Sequence, residues 1–387
     1  MTPVKTALVG ISGIGGYHRE LLHSLETVEL VAACDRWPER EPVAEAAARL
    51  EEWQVPLYQD IWAMLDEVEV EMVLLATPHP FHAPYTLGCL ERDLHVLCEK
   101  PVTVLAADGL QVAQTAAKRQ RHVAVDFQFA SYAHSQQLKE LICGGDLGEL
   151  REIVGVMEWF RADSYYERAD WSGRRYYDGL PCWDGVLMNQ AVHLINSALQ
   201  MGTTEAGFAV PERLQAEMYR VHDIECEDLA SIRADLGEAT LHLYATTCCD
   251  ADYRTSLDIV GTKGRASWDT ERAVVHIVGR DDIVLEEPSD RDAIHKNLLA
   301  CIRGLERELY APAEEAMKAT LTINGAYISA GSIPRRTWED IAGLRDLMDA
   351  AAEERKLLAE MPGVGWGQVG EVVEQAEFTS FAGLADD

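Results

Sequence analysis

The sequence predicts an α/β fold in which an N-terminal, doubly wound parallel sheet is followed by an α+β domain with a large, mostly antiparallel sheet. Two patterns lead there. In the first third, short apolar runs alternate with amphipathic segments, as in βαβ units. Beyond about Glu149, longer strand-like runs follow one another across short turns, as antiparallel neighbours do. Length agrees, because 387 residues exceed what one hydrophobic core usually organises.

The parallel strands are expected at KTALVG, ELVAACD, EMVLLAT, LHVLCEK and HVAVDF. Between them YHRELLHSL, EREPVAEAAARLEEW and ADGLQVAQTAAKRQ repeat Leu, Val and Ala at the helical period. This domain is expected over residues 1–127. Next, AHSQQLKELICGGDLGEL reads as a helix closed by Gly144 and Gly145, which suit the left-handed backbone after a helix C-terminus. The second domain, 128–336, takes its strands from ELREIVGVMEWF, RLQAEMYRV, DLASIRADL, ATLHLYATT, TSLDIVG and RAVVHIVG, with turns at LGEA and TKGRA. GVLMNQAVHLINSALQ is expected as one helix among them, and AIHKNLLACIRGLER and EEAMKATLTINGAYIS as later helices. Residues 337–387 hold one more helix and a Gly-rich tail, expected as an appendage for oligomer contacts.

Composition narrows the partners. With 65 acidic against 34 basic residues the formal charge is -31, a field that repels phosphate backbones and anionic lipid. Nucleic acid and membrane are therefore not expected as partners, and a dinucleotide site must supply its own local donors. Nine cysteines without a CxxC pair or framework spacing fit reduced thiols in a cytoplasmic protein. Cys248 and Cys249 close a strand-like run and are expected as packing residues; no metal site is expected. MTPVKTALVG has too short an apolar run for a signal segment, and no stretch reaches bilayer-spanning length.

The chemistry-bearing motifs fall at the ends of the parallel strands, where open α/β sheets bind ligands. VGISGIGGYH follows the first strand and opens a helix, so its backbone N–H groups and the helix N-terminus suit a pyrophosphate. Gly10 and Gly15 match the dinucleotide fingerprint, Ser12 takes its middle glycine position, and Gly13 and Ile14 complete the turn. Asp35 ends the second strand, where an acid accepts from ribose hydroxyls; it equally suits capping the next helix. Its neighbour Arg36 stands where a 2′-phosphate would be met. NAD is therefore expected, with NADP left open. In ATPHPFHAPY, Thr77 and Pro78 would border the nicotinamide half, while His79 and His82 would touch ribose or pyrophosphate or else cap the helix that follows. Glu99, Lys100 and Pro101 close the fourth strand.

In this order and spacing the motifs resemble the glucose-fructose oxidoreductase / inositol dehydrogenase / MocA (Gfo/Idh/MocA) family, from about Lys5 to Ile333. The resemblance implies an N-terminal Rossmann domain, a catalytic Lys100, a cis Lys100-Pro101 bond, and a homodimer or homotetramer built through the second-domain sheet. CWDGVLMNQAVHLINSAL is similar to the family segment whose His binds and deprotonates the substrate alcohol, which points to His193. Asn189 stands where many members have Asp, and Asn196 replaces the second acid. On the expected helix Asn189 and His193 share a face. An unperturbed imidazole, pKa about 6.5, is the natural general base, with Lys100 donating to the substrate oxygen. An acid at 189 would raise that pKa, whereas an amide does not. Upstream, YYERADWSGRRYYDG offers Tyr166, Trp171 and Arg174 for sugar faces, carboxylates or phosphates.

The implied reaction is hydride transfer between a secondary alcohol of a sugar, polyol, sugar acid or nucleotide sugar and the nicotinamide. Two other readings stay open at this point: glycoside hydrolysis or elimination through transient redox, and a dinucleotide-sensing regulator on the same fold.

Overall fold

A computed structural model describes residues 2–37, 39–286 and 290–384 of the chain. Met1 and residues 385–387, at the outer ends of the expected first and last segments, lie outside the described residues. Two compact units result. One comprises Met1–Val102, Gly109–Asp126 and Asp292–Glu314, the other Thr103–Asp108, Phe127–Arg291 and Glu315–Asp387.

The first unit holds β1 (Val4–Val9), α1 (Ile14–Ser24), β2 (Val28–Cys34), α2 (Glu41–Glu52), β3 (Leu57–Tyr58), α3 (Ile61–Glu67), β4 (Met72–Leu75), α4 (His82–Glu91) and β5 (His95–Cys98). The segment continues through α5 (Ala106–Arg119) and β6 (Val123–Val125). All pairings are parallel, in the order β3-β2-β1-β4-β5-β6. MVLL and VAV are buried throughout, as strands covered on both faces must be. At the carboxyl ends the pairing runs one residue further: Gly10 N–H donates to Cys34 O, Ala76 to Val9 O, Glu99 to Leu75 O and Asp126 to Cys98 O, at 2.8–2.9 Å. These bonds align the residues just beyond β1, β4, β5 and β6 in one row. The short β3 and α3 were not expected from the sequence.

The second unit adds α6 (Gln128–Ser131), α7 (Ala133–Cys143), β7 (Leu150–Glu158), α8 (Asp163–Tyr166), the ribbon β8 (Tyr176–Tyr177) and β9 (Leu180–Pro181), and α9 (Val192–Met201). Then come β10 (Arg213–Tyr219), β11 (Leu229–Asp235), β12 (Thr240–Thr246), β13 (Arg254–Gly261), β14 (Gly264–Asp269), β15 (Ala273–Ile277) and β16 (Ile283–Leu285). The chain next gives α10 (Ala293–Ile302) to the first unit and returns with α11 (Ala313–Ala330), α12 (Leu344–Glu354) and β17 (Val373–Glu374). Nine strands order as β16-β15-β14-β13-β7-β12-β11-β10-β17, antiparallel except β7 with β12.

One face of this sheet packs on α9. A Cβ on Gly155 of β7 would meet Leu257, Leu194 and Leu243 at 3.2–3.5 Å, so a side chain there would press on the helix. The other face carries Val154, Val156, Tyr219, Leu229 and Tyr244, covered by Leu344, Met348, Ala351, Leu358 and Met361 of the C-terminal segment. Tyr244 OH lies 2.6 Å from Lys356 O and 2.9 Å from Ala351 O, so its one proton is shared between carbonyls in and just after the last turn of α12. Arg233 grips Glu360 with two bonds of 3.0 Å. The expected appendage is thus the cover of its own sheet.

Three sequence expectations are corrected by the structure. The helix expected through GVLMNQAVHLINSALQ begins only at Val192; residues 186–191 are successive turns, so Asn189 is not on the helix that bears His193. The turn expected at TKGRA is shorter, because Gly264, Arg265 and Ala266 already belong to β14. Strand β12 ends at Thr246, and Cys248 lies beyond it in an isolated bridge with Phe160.

Candidate active site

In the first unit the glycine turn has the backbone its sequence requires. Gly10 has φ +85° and Gly13 φ +59°, conformations that L side chains rarely adopt. A Cβ on Gly10 would stand 2.3 Å from Ala76 O, and one on Gly15 2.1 Å from Gly10 O. A Cβ on Gly13 or Gly16 would meet nothing within 4 Å, so the turn is open on its outer side. Gly13 N-caps α1 without a side-chain bond, and Ser12 and Ile14 flank it.

Asp35 is buried and bridges two backbone segments. Its Oδ2 accepts from Ile11 N–H (3.2 Å) and its Oδ1 from Trp37 N–H (3.1 Å). It does not cap α2, whose N-cap is Arg40. Arg36 lays its guanidinium over Trp37 and Phe81, at 5.3 and 5.9 Å from the ring centroids.

After β4, Thr77 and Pro78 lead into a single 3-10 turn, His79–Phe81, and then α4. His79 is buried near His82. His82 is fully enclosed, with Nδ1 2.6 Å from Pro101 O and Nε2 2.8 Å from Thr77 O. Burial lowers its pKa against the pull of those two carbonyls. The ring therefore braces the turn after β4 against the turn after β5.

The Lys100-Pro101 peptide is cis, as the resemblance implied. Glu99 Oε2 accepts from Lys100 N–H (3.1 Å), and Glu99 Oε1 lies 3.0 Å from His18 Nε2. His18 Nδ1 in turn lies 3.0 Å from His295 Nε2 of α10, and Asp126 Oδ2 3.7 Å from His18 Nε2. This buried group was missed by sequence reasoning, although His18 ends the quoted glycine segment. Among the described residues two groups have spacing compatible with a cation: His18, Asp126 and His295, and His222, Asp228 and Cys248. Both are knit by direct hydrogen bonds, His222 Nδ1 to Asp228 Oδ2 at 2.8 Å in the second.

In the second unit His193 occupies the first turn of α9, with Phe127 edge-on at 5.7 Å and Phe129 at 4.8 Å between centroids. The turns before it are fixed by two acids. Asp184 accepts from Gly173 N–H (2.8 Å) through Oδ2 and from Asn189 Nδ2 (2.6 Å) through Oδ1. Glu227 accepts from Leu187 N–H (3.0 Å) and Tyr327 OH (2.7 Å), and burial pushes its pKa up to about 7. Asn196, the second departure, is wholly buried on α9.

Of the expected substrate-loop residues, Tyr166 turns inward. Its OH meets Thr247 Oγ1 at 2.8 Å and its ring lies on His222. Arg174 pairs with Glu225 at 2.7 Å. Trp171 lies against Arg168, whose guanidinium is 5.1 Å from its ring and 3.8 Å from that of Tyr165. Tyr165 OH accepts from Gln190 Nε2 at 2.9 Å, which ties this aromatic stack to the turns bearing Asn189.

The chain is similar to known proteins. Residues 4–127 match the model of an oxidoreductase family with an NAD-binding Rossmann fold, and residues 135–267 match the GFO/IDH/MocA C-terminal domain. D-Glucoside 3-dehydrogenase of Escherichia coli (strain K12) is 31% identical over 151 residues, 38% of this chain and 42% of that protein. Inositol 2-dehydrogenase of Salmonella typhimurium is 31% identical over 156 residues, 39% of this chain and 45% of that protein. The chain spans less than half the length of the curated relatives it matches. Among solved structures, an inositol dehydrogenase homolog from Azotobacter vinelandii, complexed with NADH and myo-inositol, superposes with TM-score 0.71 at 18% identity, covering 85% of this chain and 96% of that one. The WlbA dehydrogenase of Bordetella pertussis, in complex with NADH and UDP-GlcNAcA, gives 0.70 at 23% identity with the same coverage.

Proposed function

Because the chain belongs to the Gfo/Idh/MocA oxidoreductase family, with a Rossmann domain followed by the family's C-terminal domain, we propose that it is an NAD-dependent dehydrogenase acting on a secondary alcohol of a sugar, polyol, sugar acid or nucleotide sugar. The observation that carries this reading is the carboxyl edge of β1, β2, β4 and β5, where Gly10, Asp35, Thr77 and Glu99–Lys100 stand at neighbouring strand ends. The open, positive-φ turn fits a pyrophosphate, and Asp35 fits a ribose hydroxyl. Names of relatives and ligands of the solved neighbours, myo-inositol and UDP-GlcNAcA, support the substrate class.

When bound, NAD supplies the hydride acceptor. Lys100 Nζ donates to the reacting oxygen and stabilises its developing negative charge. Glu99 holds the lysine backbone N–H and His82 braces the turn behind it. A ring nitrogen of His193 takes the alcohol proton. Asn189, its amide nitrogen clamped by Asp184, orients the substrate. Asp35, placed at the end of β2 for a ribose hydroxyl, favours NAD over NADP.

A panel of polyols, hexoses, sugar acids and nucleotide sugars, read by absorbance of reduced nicotinamide with NAD and NADP in parallel, tests the proposal. Accumulation of NADH with at least one class is expected. Product formation without net NADH release would replace the dehydrogenase by a transient-redox reaction, and no turnover of any class would overturn the reading.

A further inference from the structure

Four arginines lie between Arg161 and Arg175, and they are not equivalent. Arg161 pairs with Asp252 at 3.2 Å and Arg174 with Glu225 at 2.7 Å. Arg175 is buried, its Nε donating to Glu225 O. Arg168 differs. The carboxylate beside it, Asp184 Oδ2, stands 4.0 Å away and already accepts from Gly173 N–H, while Asp184 Oδ1 holds Asn189. The guanidinium is nevertheless held on its own segment: Nη1 donates to Tyr165 O at 2.7 Å, and its carbon lies over the rings of Tyr165 (3.8 Å) and Trp171 (5.1 Å). Its side chain stays 31% exposed.

This arrangement has the properties of an anion receptor. A guanidinium held by a backbone carbonyl and by two aromatic rings is pre-organised, so little freedom is lost when its remaining N–H donors meet a planar carboxylate in bidentate fashion. Its position is tied to the candidate site twice, through Asp184 to Asn189 and through Tyr165 to Gln190. In a chain of net charge -31 long-range attraction cannot gather anions, so such a receptor must act at contact distance.

Resting on the dehydrogenase reading above, we infer that Arg168 recognises a carboxylate on the substrate and that the preferred class is the sugar acids, with neutral sugars and polyols second. Tyr165 and Trp171 are positioning residues that hold the guanidinium in place.

The test separates recognition from turnover. Calorimetric titration of the NAD-loaded full-length protein with D-glucuronate, D-gluconate and tartrate, against D-glucose and sorbitol, is run on wild type, Arg168→Gln and Arg168→Lys, with circular dichroism to verify folding. At least one acid should bind about tenfold or more tighter than its neutral counterpart, the scale of one charge-assisted hydrogen-bond pair. Arg168→Gln should bring acid affinity down to that of the neutral counterpart, while Arg168→Lys retains part of the preference. Absence of acid binding, an equal preference for acid and neutral probes, or a preference that survives Arg168→Gln would overturn the assignment. Kinetics on the same panel probe the chemistry separately: acid binding without NADH formation would remove the dehydrogenase reading and leave the receptor standing.

Discussion

Asp184 Oδ1 and Asn189 Nδ2 lie 2.6 Å apart within a buried turn, so the position at which many family members carry an acid has a carboxylate as its immediate neighbour. The amide and the acid complement each other, and the charge is displaced by one side chain. Asn189→Asp would set two buried carboxylates face to face, and both cannot ionise. One of them must keep its proton, its folded pKa raised above the ordinary value of about 3.9. Stability of the variant relative to wild type should therefore be highest at low pH and fall as pH rises through that raised value. Melting temperatures of both proteins between pH 4 and 8 check this, and a constant difference across the range would contradict it.

Lys100→Met should abolish turnover while leaving NAD affinity nearly intact, because the amine is assigned to the substrate oxygen and the backbone N–H that Glu99 holds is retained. Single-turnover kinetics and cofactor titration separate the two effects. Turnover within a few-fold of wild type would exclude Lys100 from the chemical step.

Asp35→Ala should weaken NAD more than NADP, since the carboxylate at the end of β2 is assigned to the ribose hydroxyls. The same substitution removes the acceptor of Ile11 N–H and Trp37 N–H, so a loss of melting temperature should accompany it. Equal weakening of both cofactors would assign Asp35 to the turn alone.

Glu227 is expected to set a pH dependence of stability. Its carboxyl titrates near 7 in the folded chain against an ordinary 4.5, so between those values the unfolded state gives up its proton first and folding becomes less favourable. The loss begins above about pH 4.5 and levels off past pH 7, on the order of 3 kcal/mol in all. Glu227→Gln, an uncharged isostere, should flatten that slope in urea unfolding at pH 5 and 7.5. An unchanged slope would place the titration elsewhere.

Backbone-determined features were legible in the sequence. Gly10 and Gly13 sit where only positive φ makes the turn, and the Glu-Lys-Pro ending of β5 is a contiguous signal. Asn189 was misplaced because Val186, Leu187, Met188, Ala191 and Val192 are all buried; an apolar run enclosed on every side looks the same as turn or helix. What fixes the turns is Glu227, on a different segment, and its carboxyl leaves no room for a Cβ on Gly185. The His18 group was illegible for a related reason, since His18 meets Glu99 and His295 from 81 and 277 positions away. Arg168 carries no mark of its own among four arginines; only the distances to Asp252, Glu225 and Asp184 distinguish it.

The cover laid by Leu344, Met348 and Leu358 over β7, β10, β11 and β12 is a contact the chain makes with itself. Being tethered, it forms at an effective concentration of roughly millimolar, whatever the protein concentration. Dilution therefore does not loosen it. Any second molecule approaching those strands faces an occupant that never diffuses away, and would have to outcompete a covalently attached rival before burying a single apolar side chain there.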